Sequence, residues 1–149
     1  MDKKLENALE KIKKVLEKRP EVLAAYLYGS HAKGYAREDS DIDVAVIFMP
    51  DFKPDDPRIH SLELEDEVNK FVTDFRVNVI PAEAMSFPLK YEATVFGRLF
   101  YSRDEHLRVE KQLDLWAEYE DLADFHKLRA MYWIKAGKEA RNGKRVSGK

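Results

Sequence analysis

Two groups of residues in this chain have types and spacing that could do chemistry together. Gly29-Ser30 closes one apolar run, and Asp41-Ile42-Asp43, after ten intervening residues, opens the next. A glycine lets the backbone turn sharply and approach a ligand with no Cβ in the way. Ser30 adds a hydroxyl, and neighbouring backbone N–H groups can point at phosphate oxygens. Gly34 permits a second close turn, and Lys33 and Arg37 are cations within reach of a polyphosphate. Asp41 and Asp43 stand two apart on a strand, so they share a face with Cα atoms roughly 6.6 Å apart. Carboxylates so placed can jointly hold Mg2+, a hard ion that takes oxygen ligands and admits substrate phosphates to its shell. Either group by itself reads as a turn or as solubilising charge. Together, between two strands at a fixed separation, they describe a site for a phosphate and a divalent metal.

The surrounding pattern supplies elements to position them. Leu5, Ala8, Leu9, Ile12, Val15 and Leu16 repeat at helical spacing, which predicts an amphipathic helix over 2–18. "KRPE" ends it, because proline disfavours a helical residue before it and has no N–H to give. Leu23 to Tyr28 reads as a buried strand and Ile42 to Phe48 as a second, apolar enough to be covered on both faces. "MPDFKPDDPR" reads as a proline-rich loop and Ser61 to Phe71 as a helix. "DFRVNVIP" alternates, with Phe75, Val77 and Val79 on one face and Asp74, Arg76 and Asn78 on the other, a strand with one polar face. "FPLKYEATVFGRLFYSRDE" reads as a short helix, a turn at Gly97 and a brief strand at Arg98 to Tyr101. Residues 105–140 read as one or two helices with aromatic anchors at Trp116, Tyr119, Phe125, Tyr132 and Trp133, followed by a basic tail. The sum is an α/β (α+β) domain with a small mixed β-sheet flanked by helices: a core over 1–104, with C-terminal helices over 105–149 packing on it.

Composition bounds the function. The 149 residues suit one domain with a sizeable core, and 26 basic against 28 acidic side chains leave a formal charge of -2. Such a balance gives no global pull toward nucleic acid or an anionic membrane, so neither partner is expected. With no cysteine, disulfides, thiolate metal sites and thiol nucleophiles are excluded. No apolar run approaches the roughly 20 residues of a membrane span, and the first residues are no signal peptide. The expectation is a soluble, cytoplasmic protein, with a homo-oligomer left open.

The Gly-Ser pair, the ten-residue gap and the Asp-Ile-Asp triplet resemble the signature of the DNA polymerase β-type nucleotidyltransferases. The longer string "GSHAKGYAREDSDIDVAV" is similar to the minimal nucleotidyltransferase (MNT) family, small domains often paired with a HEPN-domain protein in toxin–antitoxin operons. The similarity is strong from Tyr26 to Phe48, fair through "VNVIPAEA" and "YEATVFGRLFYSRDE", and topological elsewhere. It implies that Gly29 and Ser30 touch nucleotide phosphates, with Lys33 and Arg37 nearby, and that Asp41 and Asp43 hold Mg2+. It implies transfer of a nucleoside monophosphate, AMP from ATP, to a hydroxyl, with the acceptor on a HEPN toxin.

The family pattern usually carries a third carboxylate on a later strand, and here Asn78 aligns with that place. Asparagine can ligate through its carbonyl oxygen but cannot ionise. The alternative is Asp74, roughly 13 Å along the same polar face. Three functions follow: an active transferase, an antitoxin of this fold that neutralises its partner by binding alone, and transfer to a small molecule such as an aminoglycoside. The last conflicts with a chain too short for an added acceptor-binding domain. Of the remaining candidates, His31 reads as a solvent-facing loop residue more readily than as a ligand contact. Arg76 reads equally as a phosphate contact or as the partner of an acid. His60, His106 and His126 have no mutual metal spacing. The C-terminal helices lack the Arg-then-His pattern of a HEPN nuclease.

Overall fold

The computed structural model describes residues 3–34, 36–37, 40–117, 129–131 and 133–138. Two compact parts divide at Trp116–Ala117. In the first, α1 (Lys3–Glu17) buries the whole apolar stripe that its spacing predicts, from Leu5 to Leu16. Its last carbonyls are collected by one distant side chain. The Arg103 guanidinium donates to the carbonyls of Leu16 at 3.1 Å, Glu17 at 3.2 Å, Arg19 at 3.1 Å and Val22 at 2.9 Å. A cation there meets the negative end of the helix dipole, adding to the bonds that the Leu16 and Arg19 carbonyls already accept from the N–H groups of Arg19 and Val22, each at 3.0 Å.

β1 (Val22–Tyr28) and β2 (Ile42–Phe48) form an antiparallel pair, with Tyr28 opposite Asp43. Between them lies the one-turn α2 (Ser30–Lys33). From β2 the chain crosses through α3 (Pro57–Phe71) to β3 (Val77–Pro81), which pairs parallel to β2. A parallel neighbour requires a long crossover of this kind. α3 begins four residues ahead of the expected Ser61. Asp56 caps it by accepting from the Arg58 N–H at 2.9 Å, and Pro57 fits the first turn, where its missing N–H costs nothing. The three prolines of that segment thus include a helix start as well as a loop. β3 is shorter than the alternation suggests, because its ladder opens only at Val77 opposite Ile42.

The order β3-β2-β1-β4, with β4 at Arg98–Ser102, makes the four-stranded sheet mixed, as the sequence pattern predicts. β3 is an edge strand, and α3 covers its edge with side chains. Asn69 both accepts from the Val77 N–H at 3.0 Å and donates to the Val77 carbonyl at 2.9 Å. Buried Glu65 accepts from the Val79 N–H at 2.9 Å and from Arg76 Nη2 at 3.1 Å. Helix side chains thereby do what a fifth strand's backbone would do.

After β3 come α4 (Phe87–Tyr91), a π-helical turn (Glu92–Phe96), β4 (Arg98–Ser102) and α5 (Glu105–Ala117). β4 pairs antiparallel with β1 and is tied to α1 by a bidentate Arg98–Glu6 ion pair, both bonds 2.6 Å long. The Trp116 indole N–H donates to Thr94 Oγ1 at 3.1 Å, seating α5 on the π-helical turn. Two apolar clusters result. Leu27, Ile42, Val44, Val46, Val77 and Val79 meet α1 and α3 on one face, while Leu23, Tyr26, Ala45 and Ile47 meet Ala93 and Leu115 on the other.

The second part is helical at 129–131 and 133–138, where the expected anchor Trp133 is 66% exposed. Tyr119, Phe125, His126, Tyr132 and the basic tail lie outside the described residues. No described helix is long and apolar enough to cross a membrane.

Candidate active site

At the end of β1 the chain must turn, and Gly29 does so with φ 75° and ψ −154°. Positive φ costs a side-chain-bearing residue of ordinary handedness about 1–2 kcal/mol. A second reason for glycine is closer to the chemistry: a Cβ on residue 29 would stand 2.5 Å from Asp43 Oδ2. The carboxylate therefore lies directly against the bare backbone of the turn. Ser30 starts α2, and Gly34 ends it in the left-handed conformation at φ 81°, its N–H returning to the Ser30 carbonyl.

The sheet register brings the two carboxylates to the turn. Asp43 lies opposite Tyr28 on one side and Asn78 on the other. Asp41 precedes β2 by one residue and is exposed. The Asn78 side-chain nitrogen Nδ2 donates to Asp43 Oδ1 at 3.1 Å and to Asp41 Oδ2 at 3.3 Å. One atom bonded by both carboxylates means that both aim at one point. Asp74 is exposed and lies ahead of the paired part of β3, so the residue facing the pair is Asn78. Among the described residues no three His, Asp or Glu side chains gather at metal-binding distance. The third donor beside the carboxylates is an amide.

This donor set fits one hard divalent cation. Two carboxylate oxygens converge, the amide oxygen of Asn78 can join them if the amide turns over, and the remaining positions are left to water and phosphate oxygens.

The neighbours of the pair are less uniform than their spacing implied. Lys33 ion-pairs with Glu92 of the π-helical turn. Arg37 is exposed, and its backbone N–H donates to Ser40 Oγ at 2.9 Å. His31 is half-buried rather than solvent-facing. Its Nε2–H donates to the Ser40 carbonyl at 2.8 Å, and its ring meets Phe75 edge-on at 5.4 Å. It fastens the two ends of the loop that carries Lys33 and Arg37. Arg76 turns away to Glu65. His60 bonds Glu21 at 2.7 Å beside Phe48 and Phe52, and exposed His106 pairs with Glu110 one turn on.

Sequence reasoning missed Tyr28, Glu65 and Asn69. Burial first, then the charge of Asp43, push the Tyr28 phenol up to about 12, which keeps it a neutral neighbour of the carboxylates. Glu65 and Asn69 hold the strand that carries Asn78. Their signal was an acid at a buried helix position between Leu64 and Val68, with an amide one turn later.

Known proteins share this arrangement of elements. A chain of a toxin–antitoxin crystal structure with AMP-PNP superposes with a TM-score of 0.56 at 21% identity, over 93% of this chain and 98% of that one. A chain of the tri-AMPylated Shewanella oneidensis HEPN toxin in complex with MNT antitoxin gives 0.52 at 20%, over 95% and 98%. The MntA–HepT toxin–antitoxin structure gives the same score, identity and coverage. At such identities the likeness is one of fold. A sequence search against curated proteins returns no match. The family model for polymerase beta nucleotidyltransferases matches residues 10–106, the span from α1 to α5 that holds the turn, both aspartates and Asn78, and the chain belongs to that family.

Proposed function

We propose that this chain transfers AMP from ATP to a hydroxyl on a HEPN-domain partner in the cytoplasm, with pyrophosphate leaving as the α–β phosphoanhydride bond breaks, and so acts as its antitoxin. The observation that carries the reading is the convergence of Asp41 and Asp43 on one point against the bare backbone of Gly29. Family membership supports the reaction class. A HEPN toxin that is AMPylated in complex with an MNT antitoxin, and a toxin–antitoxin structure with AMP-PNP, support the acceptor and the nucleotide.

In this reading the Gly29–Ser30 turn receives phosphate oxygens, with the Ser30 hydroxyl as a donor. Asp41 and Asp43 hold Mg2+, which supplies charge stabilisation on the oxygens of an in-line displacement. The Asn78 amide cannot take a proton. The proton of the attacking hydroxyl therefore leaves to a carboxylate of the pair or to water. Gly29 keeps Asp43 close to the turn, and His31 ties the start of the loop to Ser40, just ahead of Asp41. Positioning and charge supply the rate, since the protein forms no covalent bond to the transferred group.

A second reading has its own support. A neutral amide where the family pattern places a carboxylate favours an antitoxin that neutralises by binding alone. Incubating the protein and its HEPN partner with Mg2+ and ATP labelled at the α- or the γ-phosphate separates the two. Transfer predicts label on the partner from α-labelled ATP only. Neutralisation with no label from either nucleotide would replace it with the binding reading.

A further inference from the structure

Asn78 sits where its backbone has almost no freedom. Val77 is bonded to Asn69 through both its N–H and its carbonyl, and the Val79 N–H is bonded to Glu65. On its other side β3 is laddered to β2, with Ile42 N–H donating to the Arg76 carbonyl at 2.9 Å and Asp43 in register with Asn78. What remains free to change is the side-chain amide, a planar group with donors on one side and an acceptor on the other. Its donor side faces the carboxylates, with Nδ2 at 3.1 and 3.3 Å from their oxygens. Hydrogen bonds to ionised acceptors are about twice as strong as neutral ones, so the amide is a real counterweight to two adjacent negative charges.

Resting on the nucleotidyltransferase reading, we propose that Asn78 is a built-in competitor for the metal position and limits the site to one divalent cation. With no cation bound, its amide nitrogen holds Asp41 and Asp43 together. A cation enters only as the amide turns over, withdrawing Nδ2 and presenting Oδ1 as a neutral ligand. A second cation lacks the further anionic donor it would need, because two carboxylates and one amide balance only one divalent charge. Cation binding by the protein alone is thereby weakened, and nucleotide phosphates complete the shell.

The test uses Mn2+ as the only added ligand, counted by the loss of its free paramagnetic signal on titration into the intact protein. The wild type is expected to take one Mn2+ per chain. Asn78→Asp is expected to bind it roughly 10–100-fold more tightly, the range over which groups around a metal site shift its affinity. A second measurement needs no variant: the side-chain amide resonances of Asn78 are expected to shift on titration with diamagnetic Mg2+. Two Mn2+ per wild-type chain, no Mn2+ at all, an Asn78→Asp affinity equal to wild type, or unmoved amide resonances would each overturn the proposal. None of these readouts requires AMP transfer. A protein that passes them yet labels no partner loses the transferase reading and keeps this one.

Discussion

On one face of the sheet, Leu27, Ile42, Val44, Val46, Val77 and Val79 meet the apolar stripes of α1 and α3. On the other, the same strands present Tyr28, Asp43 and Asn78 at one end and Ala45 and Ile47 further along. Side chains alternate along a strand, so β2 contributes to both at once. The first face anchors each strand at the height that the polar end of the second face requires. That end can then carry adjacent carboxylates, with the Asn78 amide bonded to both.

If the faces divide labour in this way, changing each should break a different property. The largest expected effect is Asp43→Asn. It should lower AMP transfer by about 100–1,000-fold or more, the scale for losing a group that organises transition-state charge. The melting temperature should stay level or rise, since one of two neighbouring charges is gone. Transfer assays beside thermal melts check this, and a large fall in melting temperature would show that the carboxylate also holds the fold. Leu64, fully buried on α3, is the counterpart on the other face. Leu64→Ala should cost about 2–5 kcal/mol in urea unfolding, while transfer per folded molecule stays near wild type. A parallel loss of transfer would mean the faces are coupled.

The smallest effect lies at the seam, in Tyr28. Its folded-state pKa of about 12 stands above the ordinary value of 10.0. The stability it contributes is therefore complete below pH 10 and is lost as pH rises toward 12, because the unfolded chain ionises first. Thermal melts across that window should fall less steeply for Tyr28→Phe than for wild type. Equal slopes would mean that the phenol ionises freely in the folded protein.

The legible parts of this molecule were those encoded by nearby residues. β2 coincides with the apolar run from Ile42 to Phe48 because charge and proline bound it on either side. Gly29, Asp41 and Asp43 could be placed together because a strand, a polar loop and a second strand fold back on themselves. Alternation put Asp74, Arg76 and Asn78 on one face, and the family resemblance singled out Asn78, which the register sets opposite Asp43. The rest depended on distant partners. Lys33 meets Glu92, 59 positions away by the chain numbering, and no spacing within its own loop announces that. The π-helical turn at Glu92–Phe96 has no periodic signal of its own, and what distinguishes it from an ordinary helix end is the Gly97 N–H reaching back five residues to the Glu92 carbonyl at 3.2 Å. The start of α3 was hidden by Pro57, a residue that opens helices as readily as it breaks them.

The bonds from Arg103 to the carbonyls that end α1 carry a consequence for how the protein is made. Arg103 follows Arg19, one of the residues it binds, by 84 positions. At synthesis rates of roughly 5–20 residues per second, that interval lasts on the order of 4–17 seconds. Throughout it, the first helix has its apolar stripe and its own turns but no distant clasp on its last carbonyls. The nascent chain holds a helix with an open end until β4 emerges and the strand made last closes over the helix made first.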